Sequence, residues 1–423
     1  MLSEYFASAD RMEELRAGRA GPFIEGFALK LHEAGYAEIT ARRHLRAAEH
    51  LIYWADRQGT AVCSLTAPSL EGFGRHFGRC RCPRYGRSHR VDVLNGARLF
   101  FKHLQDVGLI PVSDVRPVVQ DPTLMTEFRE WMRQLRGTQE TTLVNYSNHI
   151  RRLLKRLGEK PETFDAKGLR EFVLDTSRGS GWAKAKTCTT ALRMFMRFLI
   201  AEGRCAIGLD AAIPVLPHWR LATLPRYFQA EEVERLIASC DPGSPVGRRN
   251  RAILLLLARL GLRAGDVAQL RLRDIDWKGA WVHVSGKGRR HARLPLTQEV
   301  GKALVAYLKN GRPRTHADAM FVRSRAPFRA FRSYSAVSVI VDRAIRQAGV
   351  TRPSRGAAHL LRHSVATSML RHGASLQDVA ILLRHRSIET TQIYAKVDVT
   401  SLRRIAQPWP EVQLCYAKPW NRT

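Results

Sequence analysis

The sequence is short of carboxylates. Across 423 residues, 38 Asp and Glu face 69 Lys and Arg, leaving a formal net charge of +31 and a pI near 10.8. Self-repulsion on that scale calls for a polyanion or an acidic surface as partner. Lysine is scarce too: 13 of the basic residues are Lys and 56 are Arg. The planar guanidinium grips phosphate through paired hydrogen bonds, so the excess favours nucleic acid over membrane. GC-rich coding would explain Arg over Lys, but not the missing carboxylates. Long apolar runs are absent. No stretch reaches about 18 residues, so no membrane span is expected. The opening MLSEYFASADRMEEL is acidic and mixed, and does not read as a secretory signal.

Disulfide chemistry is also missing. The seven cysteines at 63, 80, 82, 188, 205, 240 and 415 are odd in number and scattered, unlike a disulfide framework. Cys80 and Cys82 lie in GRCRCPRYGRSHR, with His76 and His89 on either side. A zinc site needs about four ligands in matched spacing. No second Cys/His pair of that kind is found, so the stretch reads as a basic loop against phosphate and no metal is expected.

What is present suits a folded protein of two to four domains, with an ordinary 45% hydrophobic content. The chain repeats itself. TARRHLRAAEHL (40–51) resembles TLVNYSNHIRRL (142–153), TAPSLEGF (66–73) resembles DAKGLREF (165–172), and ARLFFKHLQDVG (97–108) resembles LRMFMRFLIAEG (192–203). In the last pair Phe100, Leu104 and Gly108 fall on Phe195, Leu199 and Gly203. Three matched segments in one order predict a duplicated helical module. Proline-bearing breaks follow each copy, LIPVSDVRPVVQDPT and IPVLPHWRLATLPRY, and place boundaries near 115 and 222. Beyond 223 the texture changes. WVHVSGKGRRHARLPL alternates about a Gly-Lys-Gly turn and predicts a β-hairpin. Helices are expected over 297–310, 335–348, 357–372 and 376–383. The fold class is mainly α with a small β-sheet, in several domains.

Four pieces carry the chemistry: GLRAGDVAQL (261–270), VSGKGRRHARLPL (284–296), HLLRH (359–363) and LLRHRSIETTQIY (382–394). Each alone is weak. A basic HLLRH helix face could bind backbone phosphate, and a tyrosine between Ile393 and Ala395 is commonly packing. Together, in this order and spacing, they resemble the tyrosine recombinase, or phage integrase, family over the whole third region.

The resemblance implies a catalytic set of Arg263, Lys287, His359, Arg362, His385 and Tyr394. Arg263 and Arg362 would clamp the non-bridging oxygens of the scissile phosphate, where the transition state gathers negative charge. His359, three residues before Arg362 on one helix face, would donate a hydrogen bond or exchange a proton. Lys287, between Gly286 and Gly288, would protonate the leaving 5′ oxygen, since Lys can release a proton where Arg cannot. His385 would bond the phosphate or position the tyrosine. Tyr394 would attack the phosphate and leave a 3′-phosphotyrosine and a free 5′ hydroxyl. Two arginines and a histidine beside it would favour its phenolate. The bond energy stays in the adduct, so neither metal nor ATP is required. His363 is read as support pointing away from the site. Two positions depart from the family pattern. Arg384 stands where Gly is usual, at a backbone position that favours a left-handed conformation. Asp266 stands where Glu is commoner, and could brace Arg263.

The family's plan is a helical core-binding domain and a catalytic domain closing around double-stranded DNA. Residues 116–222 fit the first and 223–405 the second. Residues 1–115 form a further helical DNA-binding module, and 406–423 a tail, with Trp409, Val412, Leu414 and Trp420 as anchors on a neighbouring protomer. The helix Thr142–Arg156 is the candidate major-groove element, carrying Asn145, Asn148, His149, Arg151, Arg152 and Lys155. Asn145 and Asn148 are the base readers and the others set register. Strand exchange between two duplexes implies a tetramer on DNA, and sister recombinases of one mobile element are possible partners. A bacterial cytoplasm, at the nucleoid, fits the reduced cysteines. Two alternatives stay open: a type IB topoisomerase-like enzyme, and a non-catalytic accessory protein.

Overall fold

The computed structural model describes residues 1–83, 85, 90–111, 121–216, 224–286, 290–354, 356–385, 387–398, 402–403 and 405–407. Lys287, His89 and the four proposed tail anchors lie outside them. Residues Met1–Pro111 and Arg220–Thr423 cluster as one compact unit and Val112–Trp219 as a second.

The N-terminal stretch runs α1 (Ala9–Ala17), α2 (Gly21–Glu33), α3 (Glu38–Arg57), α4 (Ala67–His76) and α5 (Arg90–Asp106). In α3, Ala41, Leu45, Ala48, Leu51, Ile52 and Ala55 recur at helical spacing and are buried. Val112–Trp219 carries α6 (Thr123–Arg136), α7 (Glu140–Leu157), α8 (Ala166–Ser177) and α9 (Trp182–Ala201). The order from α2 to α5 reappears from α6 to α9, down to a 3₁₀ turn before the third helix, Val62–Ser64 in one and Pro161–Thr163 in the other. Thr66 and Asp165 cap that third helix alike, each accepting the backbone N–H three residues on. Phe27 meets Phe100 edge-on at 5.2 Å, and Phe128 meets Phe195 edge-on at 5.4 Å.

The third region adds α10 (Ala230–Ala238), α11 (Pro245–Leu260), α12 (Ala264–Gln269), β1 (Ile275–Asp276), β2 (Trp281–Gly286), β3 (Arg290–Pro295), α13 (Gln298–Asn310), α14 (Ser335–Gln347), α15 (Ala357–Arg371) and α16 (Leu376–Leu382). The strands form one antiparallel sheet, β1-β2-β3. Trp281 pairs with Pro295 and Gly286 with Arg290, so Val282, Val284 and Leu294 turn inward while His283 and Arg293 face out. The helices expected from 297 onward fall within two residues of their positions. Among the described residues no helix is long and apolar enough to cross a membrane.

One expectation is corrected here. Cys80 and Cys82 do have partners: His50 of α3 and His76 at the end of α4 converge on them, and the four ligand atoms lie within 4.8 Å of one another. His50 is 26 residues upstream of His76, so only the packing of α3 against α4 brings them together.

Candidate active site

The site is built around two backbone turns. Ser244 caps α11 by accepting the Gly247 N–H, and Leu254–Leu257 bury completely in the core. The helix ends at Gly261, whose φ of +58° is open to Gly. A Cβ there would also sit 2.9 Å from a terminal methyl of Leu383, which would have to shift. The second turn is at the end of α16, where Arg384 takes φ +53°. This is the left-handed conformation expected at that position, held by a residue for which it costs about 1–2 kcal/mol.

Both arginine clamps are fixed by carbonyls of these turns. Arg362, buried on α15, donates to the carbonyls of Gly261 and Leu383. Arg263, at the start of α12, donates to those of Leu383 at 3.5 Å and Arg384 at 3.3 Å. Sharing Leu383 holds two like charges side by side. Burial, then the nearby Arg263 and Arg384 charges, push the Arg362 guanidinium down to about 9, still charged at neutral pH. Burial lowers Arg263 as well. The cluster is therefore cationic and poised for an anion.

Asp266 is the carboxylate that touches this group. Its Oδ2 accepts the Arg263 backbone N–H at 3.0 Å and the Arg384 guanidinium at 2.6 Å. It braces Arg263 through the main chain, while its ion pair goes to Arg384. The two departures from the family pattern are thus the two ends of one nearly buried contact, 7% and 11% exposed.

The tyrosine corrects two readings. Tyr394 is 2% exposed and packs with Ala366, Leu370, Val379 and Leu383. Its hydroxyl shares a 2.7 Å hydrogen bond with His363 Nδ1. His363 therefore faces the tyrosine and does not point away. It lies four residues after His359 on α15, and the two rings meet edge-on at 4.9 Å; this i, i+4 spacing was the available clue. The phenolate is not favoured either. Burial raises the Tyr394 hydroxyl to about 12, outweighing the opposing pull of Arg362.

The histidines are neutral. Burial, followed by nearby cations, lowers His359, and puts His363 and His385 at about 4. His385 bonds Thr391 through Nδ1 at 2.7 Å and lies parallel to the Tyr394 ring at 6.5 Å. Thr391, fully buried, had no flag in the sequence. Of the expected set, Arg263, His359, Arg362, His385 and Tyr394 converge, joined by Asp266, His363 and Arg384.

On α7, Asn145, Asn148, Arg151, Arg152 and Lys155 are exposed. Arg151 bonds Asn148 at 3.1 Å and Asp121 at 2.7 Å. His149 departs from the expectation. It is 8% exposed and faces inward beside Ile150, which removes it from the groove-facing set.

Residues 226–400 match the phage integrase family. The chain is 33% identical over 414 residues to a putative integrase/recombinase, y4rA, of Sinorhizobium fredii (strain NBRC 101917 / NGR234), covering 96% of this chain and 99% of that one. It is 37% identical over 291 residues to the tyrosine recombinase XerD of Mycobacterium tuberculosis (strain ATCC 25618 / H37Rv), covering 64% and 91%. In fold it is similar to the XerH site-specific recombinase in a post-cleavage complex with its palindromic difH substrate, with a TM-score of 0.54, 21% identity, and 66% and 83% of the chains covered.

Proposed function

The chain belongs to the phage integrase family of tyrosine recombinases, and from that premise we propose that Tyr394 is the nucleophile through which it breaks and rejoins DNA strands. The Tyr394 hydroxyl oxygen attacks the scissile phosphorus. Its proton passes to Nδ1 of His363, 2.7 Å away, in the tautomer that leaves that nitrogen unprotonated. The phosphorus–5′-oxygen bond breaks, and Lys287 protonates that oxygen, leaving a 3′-phosphotyrosyl adduct and a 5′ hydroxyl. Arg263 and Arg362 neutralise the charge gathering on the non-bridging oxygens. His359 donates a further hydrogen bond, and His385 stacks to orient the tyrosine. A new 5′ hydroxyl reverses the steps on the partner strand, so the cycle consumes neither ATP nor a metal ion.

The observation that supports this most is the Tyr394–His363 hydrogen bond, because it sets a titratable ring nitrogen 2.7 Å from the attacking hydroxyl. The relatives are integrases and recombinases, which favours strand exchange over topoisomerase-like relaxation.

Double-stranded DNA is the substrate, and exchange between two duplexes needs four protomers, alone or with sister recombinases. Residues 116–222 grip the core site through the exposed stripe of α7, and 223–405 carry out the chemistry. Residues 1–115 are a second copy of the gripping module that lengthens the contact, and 406–423 reach a neighbouring protomer. The shared helix order and matched caps support the duplication. Deleting 1–115 should shorten the footprint on DNA.

The test is to express wild type and Tyr394→Phe in cells, capture protein-linked DNA without added crosslinker, and sequence its ends. Discrete adducts from wild type and none from Tyr394→Phe are expected. Equal adducts from both would transfer the role to another residue.

A further inference from the structure

Four donor atoms converge in the N-terminal helical stretch, on residues the tyrosine chemistry does not use. Cys80 Sγ lies 3.6 Å from His50 Nε2, and Cys82 Sγ lies 3.3 Å from His76 Nε2. All four ligand atoms lie within 4.8 Å of one another. A tetrahedral zinc ion with ordinary Zn–S and Zn–N bonds sets its sulfur and nitrogen ligands about 3.6 Å apart. The two sulfur–nitrogen pairs are already near that size, and since no pair exceeds 4.8 Å, closing the rest needs side-chain shifts of about 1 Å.

We propose that His50, His76, Cys80 and Cys82 form a closed, four-coordinate Zn²⁺ site that ties the basic segment after α4 to α3. The donor set decides the metal. Two thiolates and two imidazoles in a tetrahedral array suit zinc, whereas calcium and magnesium want oxygen. Four protein ligands leave no open position for substrate, so the ion is structural. Binding releases two thiol protons, and the resulting thiolates cancel the ion's two positive charges.

The surroundings are those of a built site. His50 is 1% exposed and Cys82 8%. The His50 ring stacks on Tyr85 at 4.7 Å and meets Phe73 and Phe77 edge-on at 5.0 and 5.4 Å. Trp54 covers the His76 ring at 6.3 Å. These rings enclose His50 and border His76, while His76 and Cys80 stay half-buried, and both imidazoles turn Nε2 toward a sulfur. Separate thiol–imidazole hydrogen bonds would account for each pair alone, but not for both pairs closing on one point.

The ion would hold Arg79 and Arg81, which flank Cys80, in place beside the 3₁₀ turn Phe77–Arg79, adding to the stacking of Tyr85 on His50. The site is independent of the catalytic proposal, since it shares no residue with it.

The test uses the full chain, purified after growth with added zinc, and counts metal per protein. One zinc per chain is expected in wild type and in Cys63→Ser, whose cysteine is exposed elsewhere. The double variant Cys80→Ser, Cys82→Ser should hold about a tenth of that or less. Exchange for cobalt should give a thiolate-to-metal charge-transfer band with the intense visible bands of a tetrahedral ion. A wild-type chain without zinc and without the thiolate–cobalt band overturns the proposal, as does zinc retained in the double variant. Should the double variant not fold, the cobalt spectrum of wild type alone decides.

Discussion

Where Trp54 of α3 covers His76 of α4, the matching positions of α7 and α8 hold Arg156 and Asp175, ion-paired at 2.5 Å. The matched segments also set His50 against Arg152. Two helical runs with one order of elements thus fasten the same pair of helices differently. One uses rings and a sulfur–nitrogen knot, the other a half-exposed ion pair. The aromatic pair and the Thr66 or Asp165 cap are common to both. The difference teaches which contacts make the helical frame and which adapt it: the frame is apolar and capped, and the fastening between its second and third helices is free to change.

The comparison can be broken at several points. Removing the shared ring should do most. Phe100→Ala and Phe195→Ala should each destabilise their own run by about 3–5 kcal/mol, read by hydrogen exchange across the full chain. Unequal losses would show that the two frames are not equivalent. Thr66→Ala and Asp165→Ala should each cost about 1 kcal/mol, with fraying confined to the start of α4 or α8. Arg156→Ala should cost only about 0.2–1 kcal/mol, because that pair is 39% and 44% exposed, and added salt should erase the effect. Acid should separate the runs most gently. Burial lowers His44 and His103 in the first run, but only His149 in the second. A histidine whose folded pKa lies below its unfolded value gains protons on unfolding. Its stabilising contribution is complete above about 6.5 and fades as pH falls below that. The first run should therefore loosen before the second on acidification, measured by exchange at stepped pH. Loosening in the reverse order would sink the assignment.

Much of this was legible in the chain. Helical spacing located the elements after 297, and alternation about Gly286–Gly288 located β2 and β3. Motif order brought Arg263, Arg362, His385 and Tyr394 into one constellation. Contacts that depend on packing were not legible. His50 and His76 are far apart in sequence and meet only because α4 lies on α3. His149 shares a helix with exposed Asn148 and Arg152 but falls on the buried side, and a list of polar residues along the helix does not resolve that. The proton affinity of Tyr394 was misread because neighbouring cations are visible in a sequence and burial is not.

The Asp266–Arg384 contact has a consequence for how this chain could have come about. A glycine at 384 asks nothing of residue 266 beyond its hold on the Arg263 N–H. An arginine there, 11% exposed, needs a carboxylate within reach, since an unpartnered buried charge is far costlier than none. The arginine could therefore settle only beside an acid already in place. Once settled, it makes that acid hard to lose. Asp266→Asn should be mild in an Arg384→Gly background and severe in the present one, so position 266 can now change only with or after position 384. A single side chain in an unfavourable backbone conformation has become a ratchet on the history of the site.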